Sequence, residues 1–199
     1  MKLILASNNK KKLTEMRDIL SEMGIEVLSQ REAGLDLEVE ETGTTFAENA
    51  FLKAKGACDA LGIPAVADDS GLQVDALDGA PGIYSARYAG ENASDQDLYE
   101  LLLKNMEEKK DRTARFVSSI ACVFPNGDVV RAEGYCYGEI LREPRGTGGF
   151  GYDPVFYFKE YGKTMAELSP KEKNAVSHRG NAMKIFKEEL EIYLKKNEQ

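Results

Sequence analysis

Residues 63–71 read IPAVADDSG, an apolar run short enough to be a buried strand that ends in two adjacent carboxylates, Asp68 and Asp69. A helical apolar pattern stops at Gly62 just before this run, so the chain passes here from a helix into a strand. Like charges side by side at the end of a buried element repel each other and lose hydration, so another feature must offset their free-energy cost. The stretch therefore predicts a core strand with a polar site at its end.

Helix and strand patterns alternate along the rest of the chain. The segment KLILAS (2–7) is a candidate first strand, and helical apolar spacing follows it until Gly24. The dipeptide Asn126-Gly127 separates two strand-like segments and indicates a long β-hairpin. Further helices with capping signals at their starts are predicted after Thr45, Ser94 and Ser169. This interleaving predicts one α/β domain over residues 1–199 with a mixed sheet.

Bulk composition narrows the function classes. The chain has 199 residues, 42% of them hydrophobic, and a formal net charge of −8, which disfavours sequence-independent binding to nucleic acid. No apolar run approaches the length of a membrane span, and the N-terminus does not resemble a signal peptide. The cysteines lack C-x-x-C spacing, so Cys58, Cys122 and Cys136 are interpreted as reduced. A cytoplasmic enzyme is the expectation.

The stretch SNNKKK (7–12) lies where the first strand gives way to a helix. Unpaired backbone N–H groups and the helix dipole favour a phosphate at such a point, and Lys10, Lys11 and Lys12 add positive charge. The pattern is compatible with a triphosphate cradle that lacks the Walker glycines. An Asn cap followed by a solvated lysine run is the alternative interpretation.

Acidic residues gather in two stretches, EETG (40–43) and the end of the strand at 68–69. Mg²⁺ prefers carboxylate oxygens, usually one or two from the protein, with phosphates and waters completing its octahedron. Glu40 or Glu41 could bind it together with Asp69, while a second acid deprotonates an attacking water. An acidic loop and an Asp that caps a turn would explain the same residues.

Two lysines, Lys53 and Lys55, lie on the helix between these acids. Their directions differ by about 200° around a helix, so at most one of them faces the site. From the residues alone, two solvated lysines are the simpler interpretation.

The segments GTGGFGYDP (146–154) and KNAVSHRG (173–180) contain the remaining candidates. Glycines permit close backbone approach to a ligand, and Phe150 and Tyr152 offer flat faces on which a base can stack. His178, the only histidine, precedes Arg179 near a helix start, so both can donate hydrogen bonds to carbonyl oxygens of a purine. A structural histidine and an ordinary glycine-rich loop are the alternatives.

The chain closely resembles the inosine/xanthosine triphosphate pyrophosphatase family in a series of stretches taken in order: SNNKKK, EETGTTFAENAFLKA, ADDSGLQVDALDGAPGIYSARYAG, GTGGFGYDPVF and LSPKEKNAVSHRG. The similarity spans nearly the whole chain. It implies Mg²⁺-dependent hydrolysis of ITP, XTP and dITP to the nucleoside monophosphate and pyrophosphate by a homodimer, which removes these non-canonical purine nucleotides from the pool. It also implies an elongated ITPase-like fold, with a long mixed sheet flanked by helices and a cleft between two lobes.

The resemblance also implies roles by position. Asp69 falls on the catalytic acid, which binds the metal together with Glu40 or Glu41, and Asp68 is left as a structural partner that holds the turn. The family's substrate-binding positions fall on Ser7, Asn9, Lys12, Lys53, Ser70, Phe150, Gly151, Tyr152, Asp153, Lys173, His178 and Arg179. Asn8, Lys10 and Lys11 of the same loop are further candidates for substrate binding. The loop departs from the family in its two extra lysines, Lys10 and Lys11, whose contribution is open.

Base selection has a physical basis within this hypothesis. Inosine and xanthine present a 6-keto acceptor where adenine presents an amino donor, so donors from His178, Arg179 and backbone amides would reject adenine. Guanine shares the 6-keto group, and its exclusion must depend on the surroundings of the 2-position. The alternatives are a nucleotide-binding module without turnover and a related pyrophosphatase that acts on a pyrimidine or modified nucleotide.

Overall fold

A mixed sheet organises the computed structural model, which describes residues 1–197 apart from the side chains of Lys11 and Asn174. Within that range the sheet has seven strands in the order β2-β1-β3-β4-β5-β6-β7. The strands are β1 (Lys2–Leu5), β2 (Glu26–Ser29), β3 (Ala65–Val74), β4 (Thr113–Val123), β5 (Val129–Ile140), β6 (Phe156–Phe158) and β7 (Lys163–Thr164). β1 pairs in parallel with β2 and β3, whereas β6 is antiparallel to β5 and β7. The predicted α/β class with a mixed sheet is confirmed.

The α-helices agree in part with the expected signals. They are α1 (Lys10–Leu20), α2 (Phe46–Leu61), α3 (Asp95–Asn105), α4 (Pro170–Val176) and α5 (His178–Asn197). Thr45 caps α2 through a hydrogen bond from Glu48 N, and Gly62 ends that helix in the left-handed region, with φ 64°. None of the described helices is long and apolar enough to cross a membrane.

The C-terminal helix predicted after Ser169 is divided into two. Ser177 has extended backbone angles, φ −66° and ψ 141°, between α4 and α5. Its hydroxyl accepts a hydrogen bond from Gly180 N at 3.1 Å, so Ser177 caps α5 instead of continuing α4. This break makes His178 the first residue of a helix.

The chain divides into two compact units, each assembled from separate segments. The first unit comprises Met1–Asp69, Ser118–Gly134 and the segment from Asn181 onward, and the second comprises Ser70–Val117 and Tyr135–Gly180. Their boundaries fall inside β3, β4, β5 and α5.

In the first unit, β3 presents alternate residues to two helices. Val66 belongs to a buried cluster with Met16 of α1, whereas Ala67 belongs to another cluster with Ala54 of α2. Successive side chains of a strand point to opposite faces, so the two rows of β3 have different neighbours. The next residue in each row, Asp68 after Val66 and Asp69 after Ala67, therefore also faces a different helix.

Candidate active site

The adjacent acids Asp68 and Asp69 are held by different lysines. Lys12 Nζ lies 2.8 Å from Asp68 Oδ1, and Lys53 Nζ lies 3.1 Å from Asp69 Oδ1. Alternation along β3 explains the division, because Asp68 continues the row that faces α1, which carries Lys12, and Asp69 continues the row that faces α2, which carries Lys53. A cation therefore offsets the electrostatic cost of each carboxylate.

Glu41, Lys53 and Asp69 form the acid centre of the first unit. Lys53 Nζ lies 2.9 Å from Glu41 Oε1 as well as contacting Asp69, and all three side chains are largely withdrawn from solvent. Burial raises the pKa of Asp69 although Lys53 acts to lower it. Burial opposes the charge of Lys53, but Asp69 and Glu41 outweigh it and raise the pKa of that ammonium. Lys53 thus stays charged, and Asp69 is a stronger base than an exposed aspartate.

The donor chemistry of the acid centre suits a hard divalent cation. Two carboxylates, from Glu41 and Asp69, converge on one ammonium group. The described residues contain no group of three or more His, Cys, Asp or Glu side chains arranged to hold a metal. Mg²⁺ commonly takes only one or two protein carboxylates and obtains its other oxygens from water and substrate phosphates. The pair therefore fits Mg²⁺ better than a metal that requires a complete protein cage.

Of the two acids in the EETG stretch, the structure brings Glu41 to Lys53. The Glu40 side chain is exposed, and the contact recorded for this residue is through its carbonyl oxygen, which accepts a hydrogen bond from Thr42 N at 3.1 Å.

The loop after β1 forms the start of α1. Asn9 Oδ1 accepts a hydrogen bond from Lys12 N at 3.3 Å, and Ser7 Oγ accepts one from Asn9 N at 3.1 Å. Asn9 is thus a helix cap, and the loop lies beside β3 through the bond from Ala6 N to Val66 O. Lys12 reaches Asp68, whereas Asn8 and Lys10 are exposed. The side chain of Lys11 lies outside the described part of the structure.

In the second unit, Asp153 and Lys173 form a buried ion pair. Lys173 Nζ lies 2.5 Å from Asp153 Oδ2, and the aspartate side chain is 5% exposed. The same oxygen accepts a hydrogen bond from Phe150 N at 2.9 Å, and Lys173 Nζ lies 4.8 Å from the centre of the Phe150 ring. Burial raises the pKa of Asp153, and Lys173 opposes that rise. This arrangement fixes the Phe150–Asp153 turn.

Aromatic residues of the glycine-rich loop differ from the prediction. Phe150 is 55% exposed, so its ring is available for stacking. Tyr152 is 3% exposed within the core of the second unit, and its hydroxyl donates a hydrogen bond to Ser85 O at 2.8 Å. The prediction that the Tyr152 ring offers a stacking face is therefore wrong, because its ring and hydroxyl are both used by the core. Gly151, between them, adopts a positive φ of 58°.

The remaining predicted residues lie in two places of the second unit. His178 and Arg179 begin α5, and both are partly buried. Ser70 follows Asp69 directly in β3 and is also partly buried.

An aromatic residue that sequence reasoning missed orients His178. The Phe116 ring stacks on the His178 imidazole with 5.0 Å between ring centroids and 17° between planes. Nothing in the local pattern of β4 distinguishes Phe116 from an ordinary core residue, since the contact joins positions far apart in the chain.

Comparisons with known proteins agree with one another. The Ham1 family model matches residues 3–189. A dITP/XTP pyrophosphatase of Desulfotalea psychrophila is 50% identical over 99% of this chain and 88% of its own length, and that of Escherichia coli K12 is 48% identical over 95% and 98%. The solved Staphylococcus aureus Ham1 protein has a TM-score of 0.92 and 44% identity, covering 97% of this chain and all of its own.

Proposed function

Because the chain belongs to the Ham1 family, we propose that it is a nucleoside triphosphate pyrophosphatase that hydrolyses the non-canonical purine nucleotides ITP, dITP and XTP. The products are the nucleoside monophosphate and pyrophosphate. Relatives whose similarity extends over nearly the whole chain carry the name dITP/XTP pyrophosphatase. The observation that carries the proposal is the contact of Lys53 with both Glu41 and Asp69.

The first unit supplies the residues for hydrolysis. Asp69 accepts a proton from a water that attacks the α-phosphorus, and the bond from this phosphorus to the bridging oxygen breaks, so that pyrophosphate leaves. Its raised pKa, caused by burial, suits this role. Lys53 and Lys12 lie beside the two acids and provide positive charge for the phosphate oxygens.

Mg²⁺ is the cofactor that this donor set suits. Glu41 and Asp69 would hold it, and when bound it supplies charge neutralisation for the phosphates and a lower pKa for the attacking water. Glu41 is the proposed partner of Asp69 in preference to Glu40, because Glu41 shares the Lys53 ammonium with Asp69.

The loop at residues 7–12 is proposed to bind the triphosphate. Ser7 and Asn9 order the start of α1, whose first turn contains no acidic residue. Backbone N–H groups at such a helix start favour phosphate oxygens. Lys12 adds positive charge to this loop, and its ammonium group lies beside Asp68.

Base recognition is assigned to the second unit. The exposed Phe150 ring offers a stacking surface, and its turn is fixed by Asp153 and Lys173. His178 and Arg179 provide hydrogen-bond donors for a 6-keto oxygen. A donor in this position penalises adenine, which presents an amino group there, because two donors would face each other.

A substrate panel tests the proposal. Pyrophosphate release is measured with ITP, XTP, dITP, GTP, dTTP and dUTP at alkaline pH with Mg²⁺. We expect kcat/KM for ITP to exceed that for GTP by more than about tenfold, equivalent to about 1.4 kcal/mol. Triphosphate binding without pyrophosphate release would instead identify a nucleotide-binding protein, and a preference for dTTP or dUTP would identify a different substrate class.

Two further properties are proposed from the resemblance to the family, a homodimeric assembly and a cytoplasmic location. The three cysteines are free and buried, which is typical of proteins from reducing compartments. Light scattering coupled to size exclusion tests the assembly by distinguishing a mass near 44 kDa, twice the 22.0 kDa of one chain, from that of the monomer.

A further inference from the structure

A buried amide, Asn49, lies in the first turn of α2 between the acidic loop and Asp69. Its side chain is completely inaccessible to solvent, although Asn is a poor helix residue and a buried amide is costly without hydrogen bonds. Asn49 Oδ1 accepts a hydrogen bond from Gly43 N at 2.9 Å. One half of this amide therefore binds the EETG loop that carries Glu41.

The contact with Gly43 is close enough to require glycine. A Cβ atom at position 43 would lie 2.6 Å from Asn49 Oδ1 and 3.0 Å from Asn49 N. The loop backbone thus rests directly on α2, and the position of Glu41, two residues earlier, depends on this contact.

The other half of the amide belongs to the face of α2 that carries Lys53. Asn49 Nδ2 is buried and has no hydrogen-bond partner within ordinary limits among the described residues. Asn49 lies one turn before Lys53 on the same face of α2, and Lys53 Nζ lies 3.1 Å from Asp69 Oδ1. A buried donor without a partner carries a desolvation penalty, so an amide at this position needs an explanation beyond core packing.

We propose that Asn49 is a positioning residue that sets the separation of the Glu41 and Asp69 carboxylates for a divalent cation. Oδ1 holds the loop that carries Glu41, and Nδ2 orients the Asp69 carboxylate once a cation draws the two acids together. The inference rests on the proposed function, because it assigns this acid centre to a metal. Lys53 holds the same carboxylates in the cation-free state.

Metal binding by the substrate-free protein tests this role. Mn²⁺ serves as the probe, and its Kd is measured by electron paramagnetic resonance in the wild type and in Asn49→Leu, which removes both hydrogen-bonding groups at similar volume. We expect Mn²⁺ binding to weaken at least tenfold in Asn49→Leu. Hydrogen exchange at the Gly43 amide should accelerate in the same variant, because its acceptor is lost.

Two additional variants keep the test decisive if Asn49→Leu does not fold. Gly43→Ala leaves the amide in place but displaces the loop from Asn49, and it should also weaken Mn²⁺ binding. Ser118→Ala is the matched control, because Ser118 Oγ in the same unit is likewise buried without a hydrogen-bond partner among the described residues. Its Mn²⁺ affinity should equal that of the wild type.

The outcomes separate this inference from the proposed function. Faster exchange at Gly43 with an Mn²⁺ Kd within twofold of the wild type would overturn the positioning role and leave pyrophosphatase activity intact. Absence of Mn²⁺ binding and of pyrophosphate release in the wild type would overturn both.

Discussion

Lys53 Nζ lies 3.1 Å from Asp69 Oδ1, which joins the middle of α2 to β3. The same ammonium contacts Glu41, so Lys53 holds the two carboxylates together. Groups that are already in place need no reorganisation when charge develops in the transition state. Lys53 therefore has a structural role in addition to the catalytic role proposed for it.

Replacement of Lys53 by Met should make stability depend on Mg²⁺. Without the ammonium, Glu41 and Asp69 would face each other as partly buried like charges, so the melting temperature should fall at neutral pH. A divalent cation can replace the lost charge, and added Mg²⁺ should restore part of the loss. Thermal denaturation with and without Mg²⁺ measures this.

Lys55→Met is the matched control, since Lys55 lies on the same helix but pairs with the exposed Asp59 at 2.6 Å. Its melting temperature should change little. An equal loss in both variants, or a Lys53→Met protein indifferent to Mg²⁺, would argue against the acid centre as a cation site.

The ionisation of Asp69 should reduce stability in the absence of metal. Burial raises the pKa of Asp69 above that of an ordinary aspartate, so the folded state holds this proton more tightly than the unfolded state does. Stability contributed by the protonated form is complete below the unfolded pKa and is lost as the pH rises through the folded pKa. Asp69→Asn should therefore gain stability relative to the wild type as the pH rises through this window.

Urea unfolding with EDTA, at a series of pH values upward from 4, measures this difference. A wild type that gains stability relative to Asp69→Asn over that range would show that the pKa of Asp69 is lowered by folding.

The Asp153–Lys173 pair should show strong coupling. Lys173→Met leaves a carboxylate that is 5% exposed without its cation, which should lower the free energy of unfolding by about 3–5 kcal/mol. Adding Asp153→Asn to that variant removes the unpaired charge and should recover much of the loss. A double-mutant cycle from urea unfolding measures the coupling, and additive effects of the two substitutions would contradict a functional ion pair.

Gly149 should tolerate no side chain. It has φ 78°, and an added Cβ would lie 1.9 Å from Asp153 Oδ2, so Gly149→Ala should disturb both the backbone and the Asp153 turn. Gly162→Ala is the control, because Gly162 has a similar φ of 64° but no atom within 4 Å of an added Cβ.

The expected Gly162→Ala effect is limited to backbone strain of about 1–2 kcal/mol. Gly149→Ala should lose more stability than this and should also raise KM for ITP. Equal losses of stability and unchanged KM values would show that space around Gly149 is not limiting.

Local signals predicted much of the fold. The Thr45 and Ser169 caps, the left-handed Gly62 and the turn at Asn126-Gly127 are all determined by neighbouring residues. The short strands β2, β6 and β7, of 4, 3 and 2 residues, were not predicted, because their pairing partners lie elsewhere in the sequence. The break at Ser177 was not predicted, because the capping signal at Ser169 and the apolar residues from Met183 onward are compatible with one continuous helix.

The chemistry of the candidate site was likewise predictable only in part. Adjacent carboxylates and nearby lysines indicated a charged site, but the pairing of Lys12 with Asp68 and of Lys53 with Asp69 follows from which helix covers each face of β3. The sequence predicted a stacking role for Tyr152, but the core of the second unit buries this side chain. Asn49 binds Gly43 in the preceding loop and Phe116 stacks on His178 far along the chain, and the local sequence distinguishes neither from an ordinary helix or core residue.

The most direct test of the account compares Asp69→Asn with Asp68→Asn in Mg²⁺-dependent pyrophosphate release from ITP. Asp69 is assigned as the base and metal ligand, so its loss should slow release by a factor on the order of 10²–10⁴ while the protein stays folded. Asp68 is paired with Lys12 and has no assigned chemical step, so Asp68→Asn should stay within about tenfold of the wild type. Retained turnover in folded Asp69→Asn, or equal losses in both variants, would contradict the account.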